Sequence, residues 1–301
     1  MQYTLKDTIS LTDIGLHSGS QVQLVIKPAP VDTGIVFKRV DVTDKNNVIP
    51  ALWNNVVDTR LCTVIGNEDR VSVGTIEHLM AALRGCSVDN AIVEVDAPEV
   101  PVMDGSSAAF VEAIDAVGTE GQGHARRAIK VLRDIEVTQD GKTARLTPSQ
   151  ESSFTGRIAY DHPDIGTQDY ALRLVNGNFR HELADARTFG FMKDVEAMHA
   201  AGLALGGSLD NAIVLNDEGV INPEGLRYQD EFIRHKLLDA IGDLYLAGCP
   251  ILGAYEGECA GHALNNALLR KLFESQENWA YTCEFHSAVE GLSAESCFVV
   301  A

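Results

Sequence analysis

The chain has 301 residues, of which 45% are hydrophobic and 22% charged, and its formal net charge is −19 at pH 7. This length is enough for two ordinary domains, and the composition is typical of a globular protein in water. The acidic balance argues against nucleic acid as a partner, since no basic stripe is available to neutralise phosphates, and against attachment to an anionic membrane surface. No stretch approaches the roughly 18 apolar residues of a membrane-spanning helix, so no transmembrane segment is predicted.

The N-terminus and the cysteines indicate a cytoplasmic location. Residues 1–7 contain no basic region that leads into an apolar run, so no signal peptide is predicted. The six cysteines are scattered and form no CxxC pair. They are therefore predicted to be free thiols in a reducing compartment, and a cysteine-type zinc site is not expected.

The first half of the chain is predicted to form strands followed by two helices. Residues 22–28 alternate in polarity up to a proline, and residues 34–40 are a further strand candidate. His17 lies in a glycine-flanked turn between the first strands. Apolar residues at helical spacing over 76–83 predict one helix, and a second is predicted over 108–117.

Residues 118–127 contain three glycines in six positions and are predicted to link two domains. The second half then begins again with strands. Its predicted strands cover 129–137, 143–146, 154–160, 250–255, 281–285 and 297–300, and its predicted helices lie around 195–203, over 232–244 and over 261–269.

Both halves follow the same order of elements, in which a helix with a histidine near its start comes after several strands. This order predicts an α+β fold in which two topologically similar β-α-α-β domains, residues 1–120 and 127–301, pack face to face. The helices would be sandwiched between the sheets. The two histidine-bearing helices would then meet at the domain interface, where binding sites commonly form.

The helix predicted over 232–244 carries His235 and Asp239 four residues apart, so both side chains point the same way. By itself this pair is more typical of a surface His–Asp contact that braces a helix than of a metal site. Together with His78, however, it supplies two imidazoles and one carboxylate, which leave a fourth tetrahedral position for water, as a catalytic zinc requires. The spacing of these residues alone is weak evidence for such a site.

Four further residues are candidates for the chemistry of a zinc hydrolase. Glu77 precedes a ligand and is the candidate general base. His262 begins the last helix and is the candidate acid for a leaving amine, and Asp243 could hold its imidazole in the charged form. Thr188 could donate a hydrogen bond to the developing oxyanion.

At these residues the chain resembles a known family over nearly its whole length. The motifs that carry the resemblance are GLHSG at 15–19, TIEHLMA at 75–81, PVMDGS at 101–106, RTFGF at 187–191, HK at 235–236 with DAIGDL at 239–244, and GHALNN at 261–266. Their order is that of the UDP-3-O-acyl-N-acetylglucosamine deacetylases, zinc enzymes that commit precursors to lipid A in Gram-negative bacteria. The resemblance implies a deacetylase that hydrolyses the acetamide of an acylated UDP-glucosamine and acts as a monomer.

The resemblance also implies roles for individual residues. One Zn²⁺ per chain would be held by His78, His235 and Asp239, with Glu77 as base, His262 as acid, Asp243 orienting His262, and Thr188 polarising the carbonyl. The segment 191–214 would be an insertion that forms a tunnel for the acyl chain. The residues that it places toward the substrate are Lys236, Phe189, Phe191, His17, Cys62, Lys193 and Gly207.

Two positions depart from the family pattern, and two other functions stay open. Many relatives have lysine where this chain has Cys259, so a basic contact to the substrate must come from elsewhere, and Arg60 is also unexpected beside the pocket. The alternatives are a non-catalytic module that binds UDP-sugars or lipids, and a zinc amidase with a different acylated substrate. The sequence does not determine the acyl-chain length, the choice between zinc and iron, or the oligomeric state.

Overall fold

The structure, a computed structural model, describes residues 1–175 and 177–284. It has an α+β architecture, as predicted. The helices are α1 (Glu77–Gly85), α2 (Ala108–Val117), α3 (Phe179–Glu182), α4 (Met192–Ala200), α5 (Glu231–Tyr245) and α6 (His262–Phe273), with a 3₁₀ turn at Trp53–Asn55.

The first half of the chain is built on a five-stranded sheet. Its strands are β1 (Tyr3–Leu5), β2 (Ile9–Ile14), β3 (Gln21–Pro28), β4 (Ile35–Arg39), β5 (Val48–Pro50), β6 (Val56–Asp58), β7 (Val64–Gly66), β8 (Ser72–Val73), β9 (Ala91–Val95) and β10 (Thr119–Gly121). The sheet has the order β2-β3-β9-β4-β5, and β6, β7 and β8 form a small sheet of their own. Alternation decides the buried face of β3, where Val22, Leu24 and Ile26 are fully buried.

The second half is built on a larger mixed sheet. Its strands are β11 (Arg126–Val131), β12 (Ile135–Gln139), β13 (Lys142–Pro148), β14 (Ser152–Ala159), β15 (Thr167–Arg173), β16 (Phe189–Phe191), β17 (Ile213–Asn216), β18 (Gly219–Val220), β19 (Ile251–Glu258) and β20 (Trp279–Glu284). Seven of them form one sheet, in which β19 pairs with β11, β13 and β14. Strands β16, β17 and β18 form a separate sheet, with β16 parallel to β17.

Helices α1, α2, α5 and α6 pack against one another between the two large sheets, whereas α4 packs on β16 and β17. Helix α1 crosses α5 at very short range. A methyl group on Gly242 of α5 would lie 2.1 Å from the backbone oxygen of Glu77 on α1. Helix α5 also packs on β14 and β15, while α2 contacts β2. Because α5 has α1 on one side and a sheet on the other, both of its faces are apolar and its residues are buried almost throughout.

Most predicted elements are confirmed, with shifted ends. The helix predicted over 108–117 has those bounds, and the one predicted over 232–244 begins and ends one residue further out. The strand predicted over 129–137 is wrong as one unit, because the chain breaks between β11 and β12 to change partners. Strand β15 was not predicted, and the strand predicted over 297–300 lies outside the described residues.

The segment predicted as a plain linker, residues 118–127, contains β10, which pairs with β1 in antiparallel register. The glycines there predict a loop, but the partner strand is more than a hundred residues away in sequence, and local composition carries no information about it. The segment still turns at its glycines, because Gly118 and Gly123 have positive φ angles of 76° and 71°. The division into domains 1–120 and 127–301 stays a prediction.

Two further sequence expectations concern the membrane and the cysteines. Within residues 1–175 and 177–284, no helix combines the length and the apolar character that crossing a membrane requires. Cys62, Cys86, Cys249 and Cys259 take part in no disulfide, as predicted. The prediction is wrong for Cys283, which is disulfide-bonded.

Candidate active site

Two crossing helices bring the predicted metal ligands together. His78 lies in the first turn of α1, and His235 and Asp239 lie one turn apart on α5. The Nε2 atoms of His78 and His235 lie 3.6 Å and 3.3 Å from Oδ1 of Asp239. One ligand atom from each residue lies within 4.8 Å of the others, and all three side chains are buried. The group can therefore hold a metal ion.

The hydrogen bonds around this group fit a cation. Oδ1 of Asp239 is buried without a hydrogen-bond partner among the described residues, which is costly unless a cation satisfies the atom. Its other oxygen, Oδ2, accepts a hydrogen bond of 2.9 Å from Nζ of Lys236. Nδ1 of His235 donates to the carbonyl oxygen of Ala186 at 3.0 Å, so Nε2 keeps its lone pair for a metal.

The protonation states also suit metal binding. Burial lowers the pKa of His235 to about 3, although the Asp239 carboxylate opposes the shift. Burial alone would raise the pKa of Asp239, but His235 and Lys236 outweigh it and hold that pKa well below the ordinary value. At neutral pH the site therefore presents a neutral His235 imidazole beside a carboxylate, and metal ligands must be deprotonated in this way.

Glu77 and His262 form a second pair beside the ligands. Oε1 of Glu77 lies 3.8 Å from Nε2 of His262, and both side chains are buried. Burial raises the pKa of Glu77. Burial disfavours the His262 imidazolium, but the carboxylates of Asp243 and Glu77 outweigh it and raise the pKa of His262 to about 9. The pair thus places a proton acceptor next to a proton donor.

Asp243 connects His262 to the interior of the protein. Its Oδ2 accepts a hydrogen bond of 2.9 Å from Nδ1 of His262 and one of 2.8 Å from Nδ2 of Asn265. Its Oδ1 accepts a hydrogen bond of 2.6 Å from the hydroxyl of Thr63. Asp243 does not line the cavity. It therefore contacts His262 from the side that faces away from the cavity.

These groups open onto a cavity of about 620 Å³. Its lining contains most of the residues that the sequence singles out for chemistry or substrate contact. These residues are His17, Cys62, Glu77, His78, Thr188, Phe189, Phe191, His235, Lys236, Asp239 and His262. Thr188 is held at the end of its loop by a hydrogen bond of 2.8 Å from its N–H to the carbonyl oxygen of Gly105.

Aromatic rings form one wall of the cavity. Phe189 packs edge-on against Phe232 at 5.0 Å and against Tyr160 at 5.9 Å, and Tyr160 lies 6.0 Å from Phe191. The Lys236 ammonium lies 5.7 Å from the centre of the Phe189 ring. Lys236 is therefore held between an aromatic face and the Asp239 carboxylate, directly beside the ligand group.

His17 reaches the cavity from a loop that Glu99 fastens. The buried Glu99 carboxylate accepts hydrogen bonds from the N–H groups of His17 at 3.1 Å and Ser18 at 2.6 Å. It also accepts one of 3.2 Å from the hydroxyl of Thr75, whose φ of 54° is unusual for a β-branched residue. Burial lowers the pKa of His17, against the pull of Glu99.

Two predicted substrate residues lie outside the cavity lining. Lys193 is exposed on α4, where its ammonium lies 5.2 Å from the centre of the Phe191 ring. Gly207 is exposed in the turn that follows, and its N–H donates to the carbonyl oxygen of Ala204. From α4 the cavity is lined instead by Asp194 and Met198. The segment around α4 therefore lies beside the cavity, but the side chain of Lys193 and the backbone of Gly207 do not line it.

Several residues at the site were not predicted. Thr63 contacts both the Glu77 and the Asp243 carboxylates, but it precedes a short strand and shows no periodic pattern. Asn265 could have been found, because it lies three residues after His262 on the same helix. Lys142 lies in the lining of the cavity together with Arg60 and Cys259, and a hairpin lysine gives no local sign of that position.

Comparison with known proteins agrees with this geometry. The family model described as UDP-3-O-acyl N-acetylglycosamine deacetylase matches residues 2–274. Three relatives carry the name UDP-3-O-acyl-N-acetylglucosamine deacetylase. The protein from Phenylobacterium zucineum is 48% identical over 278 residues (92% of this chain and 95% of the relative), that from Chromobacterium violaceum 47% over 302 residues (99% and 97%), and that from Shewanella piezotolerans 46% over 280 residues (92% and 91%).

The match covers both halves of the chain, including both helices that carry the metal-ligand candidates and the helix that begins at His262. The resemblance predicted from the motifs is therefore confirmed. This chain belongs to the UDP-3-O-acyl N-acetylglycosamine deacetylase family.

Proposed function

We propose that this protein hydrolyses the acetamide of UDP-3-O-(3-hydroxyacyl)-N-acetylglucosamine in the biosynthesis of lipid A. The products are acetate and the free amine. Family membership supports the reaction and the substrate class. The single observation that carries the proposal is the unpartnered, buried Oδ1 of Asp239, which faces two imidazoles directly beside the Glu77–His262 pair.

The proposed cofactor is one zinc ion. His78, His235 and Asp239 would hold it, and this set of two nitrogen ligands and one oxygen ligand is typical of zinc sites that keep a position open. When bound, zinc makes a water molecule more acidic and polarises the acetamide carbonyl group. Lys236 supports the site by holding the second oxygen of Asp239, so that Oδ1 stays directed at the imidazoles.

Glu77 is the proposed general base. Its carboxylate is buried, and Oε2 is fixed by the N–H of Thr63 at 3.0 Å, so Oε1 is the oxygen that accepts the proton of the attacking water. Because burial raises the pKa of Glu77, the carboxylate is a better proton acceptor than an exposed one. The water oxygen forms the new bond to the acetamide carbon as its proton passes to Glu77.

His262 is the proposed general acid. Its Nδ1 is bound to Asp243, so the proton on Nε2 is the one directed toward Glu77 and the cavity. When the C–N bond breaks, that proton passes to the nitrogen, and the sugar leaves as the amine. Thr188, whose N–H is bound to the carbonyl oxygen of Gly105, is proposed to donate a hydrogen bond from its hydroxyl to the oxygen on which negative charge develops.

The remaining cavity residues are proposed to bind the substrate. Phe189 and Phe191 offer aromatic faces to the sugar and nucleotide, and His17 and Cys62 lie beside them in the lining. Lys142 and Arg60 bring positive charge to the same cavity and are proposed to face the diphosphate, in place of a basic residue at Cys259. The insertion around α4 is proposed to cover the acyl chain, with Lys193 and Gly207 on its outer side.

Location and oligomeric state are part of the same proposal. We expect the enzyme to work in the cytoplasm, where nucleotide-linked sugars are made, and as a monomer, because residues of one chain complete the cavity. Light scattering on the purified protein tests the monomer. A stable dimer would contradict it.

The decisive experiment compares Glu77→Gln with the wild type on the acylated UDP-sugar. Loss of the base is expected to lower kcat by about 10² to 10⁴-fold, while zinc content by mass spectrometry stays at the wild-type level. Glu112→Gln is the matched control, because Glu112 is exposed on α2, and it should retain wild-type kcat.

Each outcome separates the functions that remain open. Wild-type turnover by Glu77→Gln would overturn the base assignment. A metal-free wild-type protein that binds the UDP-sugar without releasing acetate would be a binding module. Turnover that does not change when the acyl chain is shortened would identify an amidase with another substrate. Iron in the purified protein would show that the cofactor is iron and not zinc.

A further inference from the structure

Thr63 contacts Glu77, the proposed base, and Asp243, the carboxylate that holds the proposed acid. It lies in the loop between β6 and β7, with 2% of its surface exposed. Its N–H donates to Oε2 of Glu77 at 3.0 Å, and its hydroxyl donates to Oδ1 of Asp243 at 2.6 Å. The two carboxylates belong to different helices, α1 and α5, so a single residue links the carboxylate proposed as base to the carboxylate that holds the proposed acid.

The backbone of Thr63 is fixed independently of its side chain. The N–H of Thr63 donates to Oε2 of Glu77 at 3.0 Å, and its carbonyl oxygen accepts a longer hydrogen bond of 3.5 Å from the N–H of Ile76, one residue before α1. The loop is therefore anchored to the start of the helix that carries Glu77. Because the position of the Thr63 Cα is set in this way, its hydroxyl is presented to Asp243 from a fixed point.

The hydroxyl completes the set of donors around Asp243. Oδ2 accepts hydrogen bonds from Nδ1 of His262 and Nδ2 of Asn265. The Oδ1 atom of Asn265 in turn accepts a hydrogen bond of 2.8 Å from the hydroxyl of Tyr255. Oδ1 receives Thr63. Donors on both oxygens fix the plane of the carboxylate, and a buried carboxylate with one oxygen unsatisfied would rotate toward another partner.

We propose that Thr63 is a positioning residue for deacetylation, whose hydroxyl fixes Asp243 so that Nε2 of His262 stays beside Glu77. This inference rests on the proposed function for its kinetic consequence. Thr63 does not touch the cavity, since it is absent from the lining, so it acts through Asp243 and His262. Its loss is therefore expected to affect the chemical step and not the binding of substrate.

Two substitutions separate the hydroxyl from the packing of the side chain. Thr63→Val keeps the shape and removes the donor, and is expected to lower kcat by about 10 to 100-fold through misplacement of the acid, with KM and zinc content unchanged. Thr63→Ser keeps the donor and should restore kcat to within about threefold of the wild type. In the Asp243→Asn background, the Val substitution should change kcat little, because the carboxylate that it positions is gone.

An NMR measurement tests the positioning without any turnover. In ¹⁵N-histidine-labelled protein, the Nδ1 proton of His262, assigned by its loss in His262→Gln, should shift or broaden in Thr63→Val and keep its position in Thr63→Ser. Should Thr63→Val fail to fold, Thr63→Ala, which also removes the donor and leaves Asp243 in place, is compared with Thr63→Ser in the same way.

The outcomes distinguish this inference from the proposed function. Wild-type kcat in Thr63→Val, an equal loss in Thr63→Ser, or the same fold loss in both backgrounds would overturn the positioning role. A wild-type protein that releases no acetate, but whose His262 resonance responds to Thr63→Val and not to Thr63→Ser, would overturn the function and support the positioning of His262 by Thr63.

Discussion

At the scale of single residues, the site depends on carboxylates that each have a defined partner. The Asp239 carboxylate accepts a hydrogen bond from Lys236 on one oxygen and faces the imidazoles with the other. The Asp243 carboxylate accepts hydrogen bonds from His262, Asn265 and Thr63. The Glu77 carboxylate accepts one from the N–H of Thr63. Burying a carboxylate without such partners would be costly. The partners therefore decide which oxygen remains for a metal, for a proton or for neither.

The pKa of His262 gives a prediction for the pH dependence of activity. Three carboxylates, Asp243, Glu77 and Asp239, raise it to about 9 against the effect of burial. The acid form is present below this value, so kcat/KM should fall as the pH rises through about 9. In Asp243→Asn the alkaline limb should move to lower pH, toward the ordinary imidazole value, whereas Asp44→Asn on an exposed loop should leave it in place.

The same shift has a consequence for stability with a defined sign. The folded pKa of His262 lies above the unfolded value, so the ion pair stabilises the folded protein fully below the unfolded pKa. That contribution is lost as the pH rises through about 9. Urea unfolding across this range should therefore show a smaller pH dependence in Asp243→Asn, and an identical alkaline profile in the variant and the wild type would contradict the pairing.

At the scale of elements, the crossing of α1 and α5 determines whether the ligands meet. The crossing leaves no room for a side chain at Gly242, because a methyl group there would meet backbone atoms of Glu77 and Ala81 at 2.1 to 3.1 Å. Backbone cannot move aside as a flexible side chain can. The closeness of the helices therefore depends on this glycine.

Gly242→Ala is expected to push α1 away from α5. The affinity for zinc, measured by competition with a chelator, should fall by about 10 to 100-fold, and the free energy of unfolding should fall by about 1–3 kcal/mol through overpacking. Gly190→Ala adds the same methyl group where no atom lies within 4 Å, and it should retain both. Wild-type zinc affinity in Gly242→Ala would show that the crossing tolerates a wider separation.

The insertion around α4 is fastened to the loop of His17 by its own backbone. The N–H groups of Leu205 and Gly206 donate to the carbonyl oxygens of His17 and Leu16 at 3.2 and 3.0 Å. A methyl group on Gly206 would lie 2.3 Å from the carbonyl oxygen of Gly15. The insertion can therefore lie against this loop only if residue 206 has no side chain.

Gly206→Ala is accordingly expected to displace the insertion and to weaken binding of the acyl chain. Each CH₂ that loses its cover costs about 0.8 kcal/mol, so KM for a long-chain substrate should rise by about 10-fold or more. KM for a substrate with a truncated chain should change little, and this comparison is the control. An equal rise in KM for both substrates would mean that the insertion does not cover the chain.

At the scale of the whole molecule, the net charge of −19 opposes folding through self-repulsion. Added salt screens this repulsion, since the Debye length falls as the ionic strength rises. The unfolding temperature should therefore rise between about 0.02 and about 0.3 M NaCl at pH 7, by roughly 2–4 °C for each kcal/mol of repulsion removed. Nearer the isoelectric point of about 4.8 the rise should be smaller, and a salt effect that does not depend on pH would contradict the explanation.

The sequence by itself determined the long helices and the identity of the chemical groups. The spacing of apolar residues predicted α2 and α5 almost to the residue, because a helix buries its own repeating face and needs no distant partner to define it. The order of the motifs around His78, His235 and His262 predicted the family. Both kinds of information are carried by neighbouring residues.

Only the tertiary structure decided which atoms meet. Thr63 and Asp243 are 180 residues apart, Gly206 lies against Gly15, and β10 pairs with the start of the chain. Such contacts are set by how whole helices and sheets pack, and no local pattern encodes them. The sequence named the groups of the site, but the packing of α1 on α5 brings them within reach of one another and leaves Oδ1 of Asp239 without a partner among the described residues.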